Sequence, residues 1–257
     1  MLLLAVLIAG ILTMWVPALW PLAAFQLALF TLAAARLRTP GFLRNEPKLL
    51  LLACPAVWGI LQFFAGWTVA PFRTQEEILN WTTNLTGFAL AFDLARDPAR
   101  RERFLTCLLA FACALSVLAM LTVFSSPPGW VFWSADTGTN LPTLGPFVYR
   151  NQYAAFVEAV VPLALLRALA VRRAAPLYLI GVALLFSSVI AGGSRTGAIL
   201  CTVEILAVPL LTWSQGLVSA RSMARVTFGS LLAALAFTLV AGWEFIWSRF
   251  QEPNPFG

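Results

Sequence analysis

The chain has no histidine, a single lysine (Lys48), and charge on only 11% of its 257 residues. A soluble domain carries about 25% charged residues, so the shortage of charge argues against a soluble fold. Without imidazole a His-ligated zinc site is excluded. The four cysteines, Cys54, Cys107, Cys113 and Cys201, all lie inside apolar segments and form no CxxC pair. They read as small apolar packing residues, and no metal or cofactor is expected. The G-x-x-x-x-G-K-[ST] phosphate loop is also missing. The net charge of +6 comes from seventeen Lys and Arg against eleven acids. These basic residues fall between apolar segments and form no stripe on a polar face, so nucleic acid is not an expected partner.

Sixty per cent of the residues are hydrophobic, in runs long enough to cross a bilayer, which takes about 20 largely apolar residues. Nine segments with soft edges are candidates, the first of them short: residues 2–16, 18–36, 48–66, 77–94, 103–124, 150–171, 175–192, 195–213 and 226–243. The expected fold is an all-α, polytopic membrane protein with about nine transmembrane helices. It is read as one transmembrane domain over residues 1–257. The first segment lacks a basic region before it and a small-residue cleavage site, so it reads as a retained helix.

Arginines fix the expected orientation. Arg36, Arg38, Arg44 and Lys48 surround the second connection, and Arg96, Arg100, Arg101 and Arg103 fill the fourth. Arg172 and Arg173 fill the sixth, and Arg221 and Arg225 the eighth. The odd connections hold mostly single arginines, so the even ones are expected to be cytoplasmic. That puts the N-terminus inside and Gly257 outside. Trp15, Trp20, Trp67, Trp81, Trp130, Trp133, Trp243 and Trp247 gather near the expected outer interface.

Two stretches do not fit a purely hydrophobic protein. GPFVYRNQYAAF (145–156) places Arg150 and Asn151 at the outer start of the sixth segment. GGSRTG (192–197) makes an outer turn that carries Ser194 and Arg195. Arg249 lies on the same side. An Arg fork at a helix start, beside free backbone N–H groups, suits phosphate oxygens. The competing reading is interfacial arginines that snorkel to lipid phosphates. Gln152 and Tyr153 read as ordinary interface residues, and the segment 125–146 as a lid or pocket wall. Glu158 and Glu204 lie about 12 Å deep along their helices. Intramembrane acids mark functional sites by default, although bonding to neighbouring helices serves equally. Asn80, Thr83 and Asn84 are expected to face other helices or a wet cavity.

Together the two stretches resemble the O-antigen ligase and polymerase superfamily of bacterial inner-membrane proteins. Members carry an R-N pattern entering a helix that ends on P-L, matched here by GPFVYRNQYAAFVEAVVPLALL. Further on they carry an S-R turn after an apolar helix, matched by GGSRTGAIL. The resemblance implies a GT-C-like helical bundle. It implies transfer of a glycan from an undecaprenyl-diphosphate carrier to lipid A core, another glycan or a protein at the periplasmic face, without a metal. Arg195 matches the family's essential arginine, and Arg150 and Asn151 match its R-N pair. Arg195 and Arg150 are thus the expected catalytic residues, with Asn151, Ser194, Arg249 and Glu158 on the substrate. The family's histidine has no counterpart, and FQEPNPFG corresponds to the opening of its large periplasmic loop. The reading frame is therefore expected to continue past Gly257. An ion-coupled carrier using Glu158 and Glu204, and an inactive scaffold, are the alternative functions.

Overall fold

A computed structural model of the chain describes residues 1–16, 18–38, 42, 47–124 and 144–240. Among them are nine helices and no strand: α1 (Leu2–Leu12), α2 (Trp20–Leu37), α3 (Pro47–Phe64), α4 (Pro71–Ala95), α5 (Pro98–Phe124), α6 (Arg150–Ala170), α7 (Ala175–Ala191), α8 (Arg195–Ser214) and α9 (Ala220–Val240). Each coincides with one of the nine apolar segments. Five of them, α2, α5, α6, α8 and α9, are long and apolar enough to cross a membrane, whereas α1, α3 and α7 offer shorter apolar runs. The protein is a helical membrane protein. Helices α4 and α9 depart most from expectation, each starting six residues earlier than its apolar run suggests. Helix α9 starts at Ala220 and so takes in Arg221 and Arg225. Helix α4 starts at Pro71 and so takes in Arg73, Glu76 and Glu77.

Proline explains that start and several others. Its missing N–H is no loss in a first turn, and its fixed φ suits a helix. Pro71 and Pro98 are the first residues of α4 and α5, and Pro21 and Pro176 the second residues of α2 and α7. Pro55, Pro162 and Pro209 sit inside helices, where neighbouring helices of a membrane bundle make proline tolerable.

The helices divide into two compact units, Met1–Phe104 and Leu105–Gly257. In the first unit Leu3, Leu29 and Leu90 bring α1, α2 and α4 together, with Phe25, Leu32 and Leu94 packed around them. Helices α2 and α4 also share two polar links. Gln26 Nε2 donates to Asn80 Oδ1 at 3.3 Å. The Arg36 guanidinium reaches the Asp93 carboxylate through Nε at 3.0 Å and through Nη2. Asn80 thus faces another helix as expected, and buried Thr83 bonds the Leu79 carbonyl at 2.7 Å. Asn84, in contrast, is exposed. Trp15, Trp20 and Trp67 fall at the α1–α2 and α3–α4 turns, and Arg36 at the opposite end of α2. Trp130, Trp133, Trp243, Trp247 and Arg44 lie outside the described residues.

Arg36 is therefore an ion-pair partner. The side chains are 37% and 16% exposed, so the pair lies between an exposed bridge worth about 0–1 kcal/mol and a buried one whose breaking costs about 3–5 kcal/mol. Asp93→Asn is expected to lower stability by about 1–3 kcal/mol, read by thermal unfolding in detergent. Arg36→Gln added to Asp93→Asn should cost little more. Fully additive losses would show that the contact carries no energy.

The second unit has a core of small side chains: Val157, Val161 and Ala164 of α6, Val182, Ala183 and Val189 of α7, and Val226 of α9. Small residues allow backbones to approach, which drives helix association where hydrocarbon removes the hydrophobic effect. Outward faces carry Ile199, Leu211, Phe228 and Leu232, all well exposed, a surface suited to lipid.

Candidate functional site

The two polar stretches meet at one end of the second unit. The first begins with a buried tight turn. Leu144 N–H donates to the Phe147 carbonyl at 3.1 Å, and Phe147 N–H to the Leu144 carbonyl at 3.2 Å. Gly145 takes φ +59, a left-handed conformation that costs glycine little. Leu144, Pro146 and Phe147 are fully buried, so the turn anchors the start of α6. Tyr149 is the N-cap, no side chain caps the helix, and Arg150 and Asn151 form its first turn.

The second stretch joins two helix ends within a few residues. Gly193, at φ +71, closes α7. Its N–H donates to the Ile190 carbonyl at 2.9 Å, and Ser194 N–H donates to the Val189 carbonyl at 3.4 Å. This is the left-handed C-terminal motif that glycine favours. Ser194 then caps α8, and its Oγ accepts the Gly197 N–H at 3.3 Å. Arg195 and Thr196 follow in the exposed first turn. Ordinary capping physics thus accounts for Gly193 and for half of what Ser194 does.

The other half of Ser194 links the stretches. Its hydroxyl donates to Asn151 Oδ1 at 3.1 Å, although the two residues lie far apart in sequence. Two further contacts close the same seam. A Cβ placed on Gly197 would lie 2.5 Å from Ala154 Cβ, and one on Gly192 would lie 2.7 Å from Leu144 Cδ1. Two helix N-termini, each the positive end of a macrodipole, therefore sit side by side. Each begins with an arginine. The positive ends of the two helices favour an anion beside them.

Beneath the seam lies a polar cluster at a position read as an ordinary interface residue. Tyr153 is 0% exposed. Its hydroxyl lies 3.0 Å from Ser116 Oγ and 2.5 Å from Ser188 Oγ, and Ser188 Oγ donates to the Leu185 carbonyl at 2.6 Å. The Tyr153 ring packs edge-on to Phe147, 5.5 Å between centroids. One side chain thus ties α6 to α5, α7 and the buried turn. The signal was present as spacing: Tyr153, Val157, Val160 and Ala164 recur at three and four residues along α6. Tyr153→Phe keeps the ring but removes the contacts to Ser116 and Ser188, leaving Ser188 its bond to the Leu185 carbonyl. It is expected to cost about 0.6–1.7 kcal/mol, the range for hydrogen bonds between membrane helices. Unchanged thermal unfolding would show that the cluster is energetically idle.

The acids lie deeper. Glu204 Oε2 is buried and has no hydrogen-bond partner among the described residues. Glu158 lies on α6, which packs against α8. Among the described residues no three His, Cys, Asp or Glu side chains gather to hold a metal ion. Arg150, Asn151, Ser194 and Arg195 thus belong to one seam, and Glu158 lies two turns along α6 from Asn151. Arg249 and most of the expected lid, residues 125–143, lie outside the described residues. Sequence reasoning also passed over Arg167, whose guanidinium lies over the Tyr178 ring, 5.6 Å from its centroid. Compared with known proteins, the chain matches no family model, no curated protein and no solved structure.

Proposed function

We propose that this protein transfers a glycan from an undecaprenyl-diphosphate carrier to an acceptor, as O-antigen ligases do. The acceptor is lipid A core, another glycan or a protein hydroxyl. In this reading all nine helices cross a bacterial inner membrane, the arginine-rich even connections face the cytoplasm, and the seam faces the periplasm. The observation that supports it most is the Ser194–Asn151 hydrogen bond. It joins two arginine-bearing helix starts that sequence separates.

The chemistry requires a site for a leaving diphosphate. The anomeric carbon exchanges its bond to the carrier diphosphate for one to the acceptor oxygen, the acceptor hydroxyl's proton passes to the departing diphosphate or to water, and negative charge grows on the leaving group. Arg195 and Arg150 stabilise that charge, and the two helix dipoles add to it. Asn151 and Ser194 set the spacing of the arginines. Glu158 faces the sugar, and Arg249 is assigned to the same substrate.

The test supplies purified full-length protein with an undecaprenyl-diphosphate-linked glycan and a lipid A core acceptor. The expected product is the elongated acceptor with release of undecaprenyl diphosphate. No product from donors of several sugar compositions, with each acceptor class, would overturn the reading.

One observation favours a second reading, an ion-coupled carrier: the buried Glu204 Oε2, which has no hydrogen-bond partner among the described residues. Intramembrane acids of this kind serve as proton relays. Substrate flux in vesicles that survives Glu158→Gln and Glu204→Gln unchanged rules out their coupling role.

A further inference from the structure

We infer that the end of the second unit opposite the Ser194–Asn151 seam binds the phosphate headgroup of an anionic phospholipid. The inference is independent of the glycan-transfer reading. Helices α6 and α7 connect through residues 171–174, and α8 and α9 through residues 215–219. Because α6 packs on α8 and α7 on α9, both connections lie at the same end. Residues 166–180 and 211–228 supply Arg167, Arg172, Arg173, Arg221 and Arg225 and not one acid. No carboxylate of these stretches competes for the guanidinium groups.

Their placement suits a headgroup. Arg172, Arg173, Arg221 and Arg225 are exposed. Arg167 is half-buried, held against α7 by the Tyr178 ring, with Nη2 donating to the Tyr178 hydroxyl at 3.4 Å. No side chain caps the start of α7 at Ala174, so the positive end of that helix adds to the field. Trp213, in the last turn of α8, is exposed beside the second connection, the level at which tryptophan meets a membrane interface.

The class of ligand follows from what surrounds the charge. Leu177, Ile180, Leu211 and Phe228 are exposed within a turn or two of these arginines. A soluble phosphate answers the charge and leaves that apolar surface in water. A phospholipid answers both, with its phosphate on the arginines and its chains along the helices. Basic clusters at such positions select anionic headgroups. Arginines that served only to orient the chain during insertion would show no headgroup preference in the finished protein.

The full chain, reconstituted in phosphatidylcholine vesicles, is probed with spin-labelled phosphatidylglycerol and spin-labelled phosphatidylcholine, comparing the motionally restricted fraction of each. The expected result is a preference of about five-fold or more for the anionic label, the gain from roughly one engaged arginine. It should shrink in high salt and fall towards one in a variant combining Arg172→Gln, Arg173→Gln, Arg221→Gln and Arg225→Gln. Equal restriction of both labels by the unaltered protein overturns the inference, as does a preference that survives in the variant. Inorganic phosphate that abolishes the preference, where chloride at equal ionic strength does not, assigns the site to a soluble anion and also overturns it. If the variant fails to insert, the wild-type ratio and its salt dependence decide alone.

Discussion

Arg195→Lys is expected to lower glycan transfer by about 10²–10³-fold, the loss typical when one donor aimed at developing charge is removed. Expression and membrane insertion should be unchanged, because Arg195 is an exposed first-turn residue and the cap of α8 is the Ser194 hydroxyl. Lysine keeps the positive charge, so simple attraction of an anion survives. What it loses is the planar fork that meets two phosphate oxygens at once. The effect should therefore fall on turnover more than on donor affinity, since the charge that needs the fork appears as the diphosphate leaves. The check is transfer measured at several donor concentrations. Turnover equal to that of the unaltered protein would remove Arg195 from the chemistry.

Gly197→Ala is expected to destabilise the second unit by about 1–3 kcal/mol, the usual cost of overpacking, and to abolish transfer without touching an arginine. In an exposed helix the same change gains roughly 0.4–1 kcal/mol, because alanine gives up less chain entropy. Here the sign reverses. The new Cβ would lie 2.5 Å from Ala154 Cβ, 3.0 Å from Ser194 Oγ and 3.0 Å from Val189 Cγ1. Ala154 Cβ is fixed to its backbone and has no rotamer through which to escape, so α6 and α8 must part. Parting them stretches the Ser194–Asn151 hydrogen bond and separates Arg150 from Arg195. Thermal unfolding together with transfer checks this. Adding Ala154→Gly should restore much of both by returning the missing space. A neutral Gly197→Ala would show that α6 and α8 do not approach this closely.

Much of this architecture was legible because a membrane imposes simple demands. Long apolar runs marked every helix, since only a self-bonded backbone survives in hydrocarbon. Boundaries were less legible where proline overrode hydropathy, as at Pro71, which starts α4 ahead of its apolar run. Partners were least legible. Asp93 carries no local sign that it pairs with Arg36, and Tyr153 none that its hydroxyl meets Ser116 and Ser188. Such pairs depend on which helices pack together, which a one-dimensional pattern does not encode. For the site, capping residues at Gly193 and Ser194 could be read from local chemistry. That GGSRTG touches the R-N turn could not be read from spacing, and neither could the seam at Gly197 and Ala154.

In the proposed reaction Arg150 and Arg195 hold one diphosphate between two adjoining helix starts. The most direct measurement is the affinity of the full-length protein for undecaprenyl diphosphate itself, in unaltered form and as Arg150→Gln, Arg195→Gln and the pair together. The unaltered protein is expected to bind the carrier, and each single change to weaken binding by about ten-fold or more, the scale of a charge-assisted hydrogen bond of about 1.5–3 kcal/mol. Undiminished binding in both single variants, or none in the unaltered protein, would contradict that role of the two arginines.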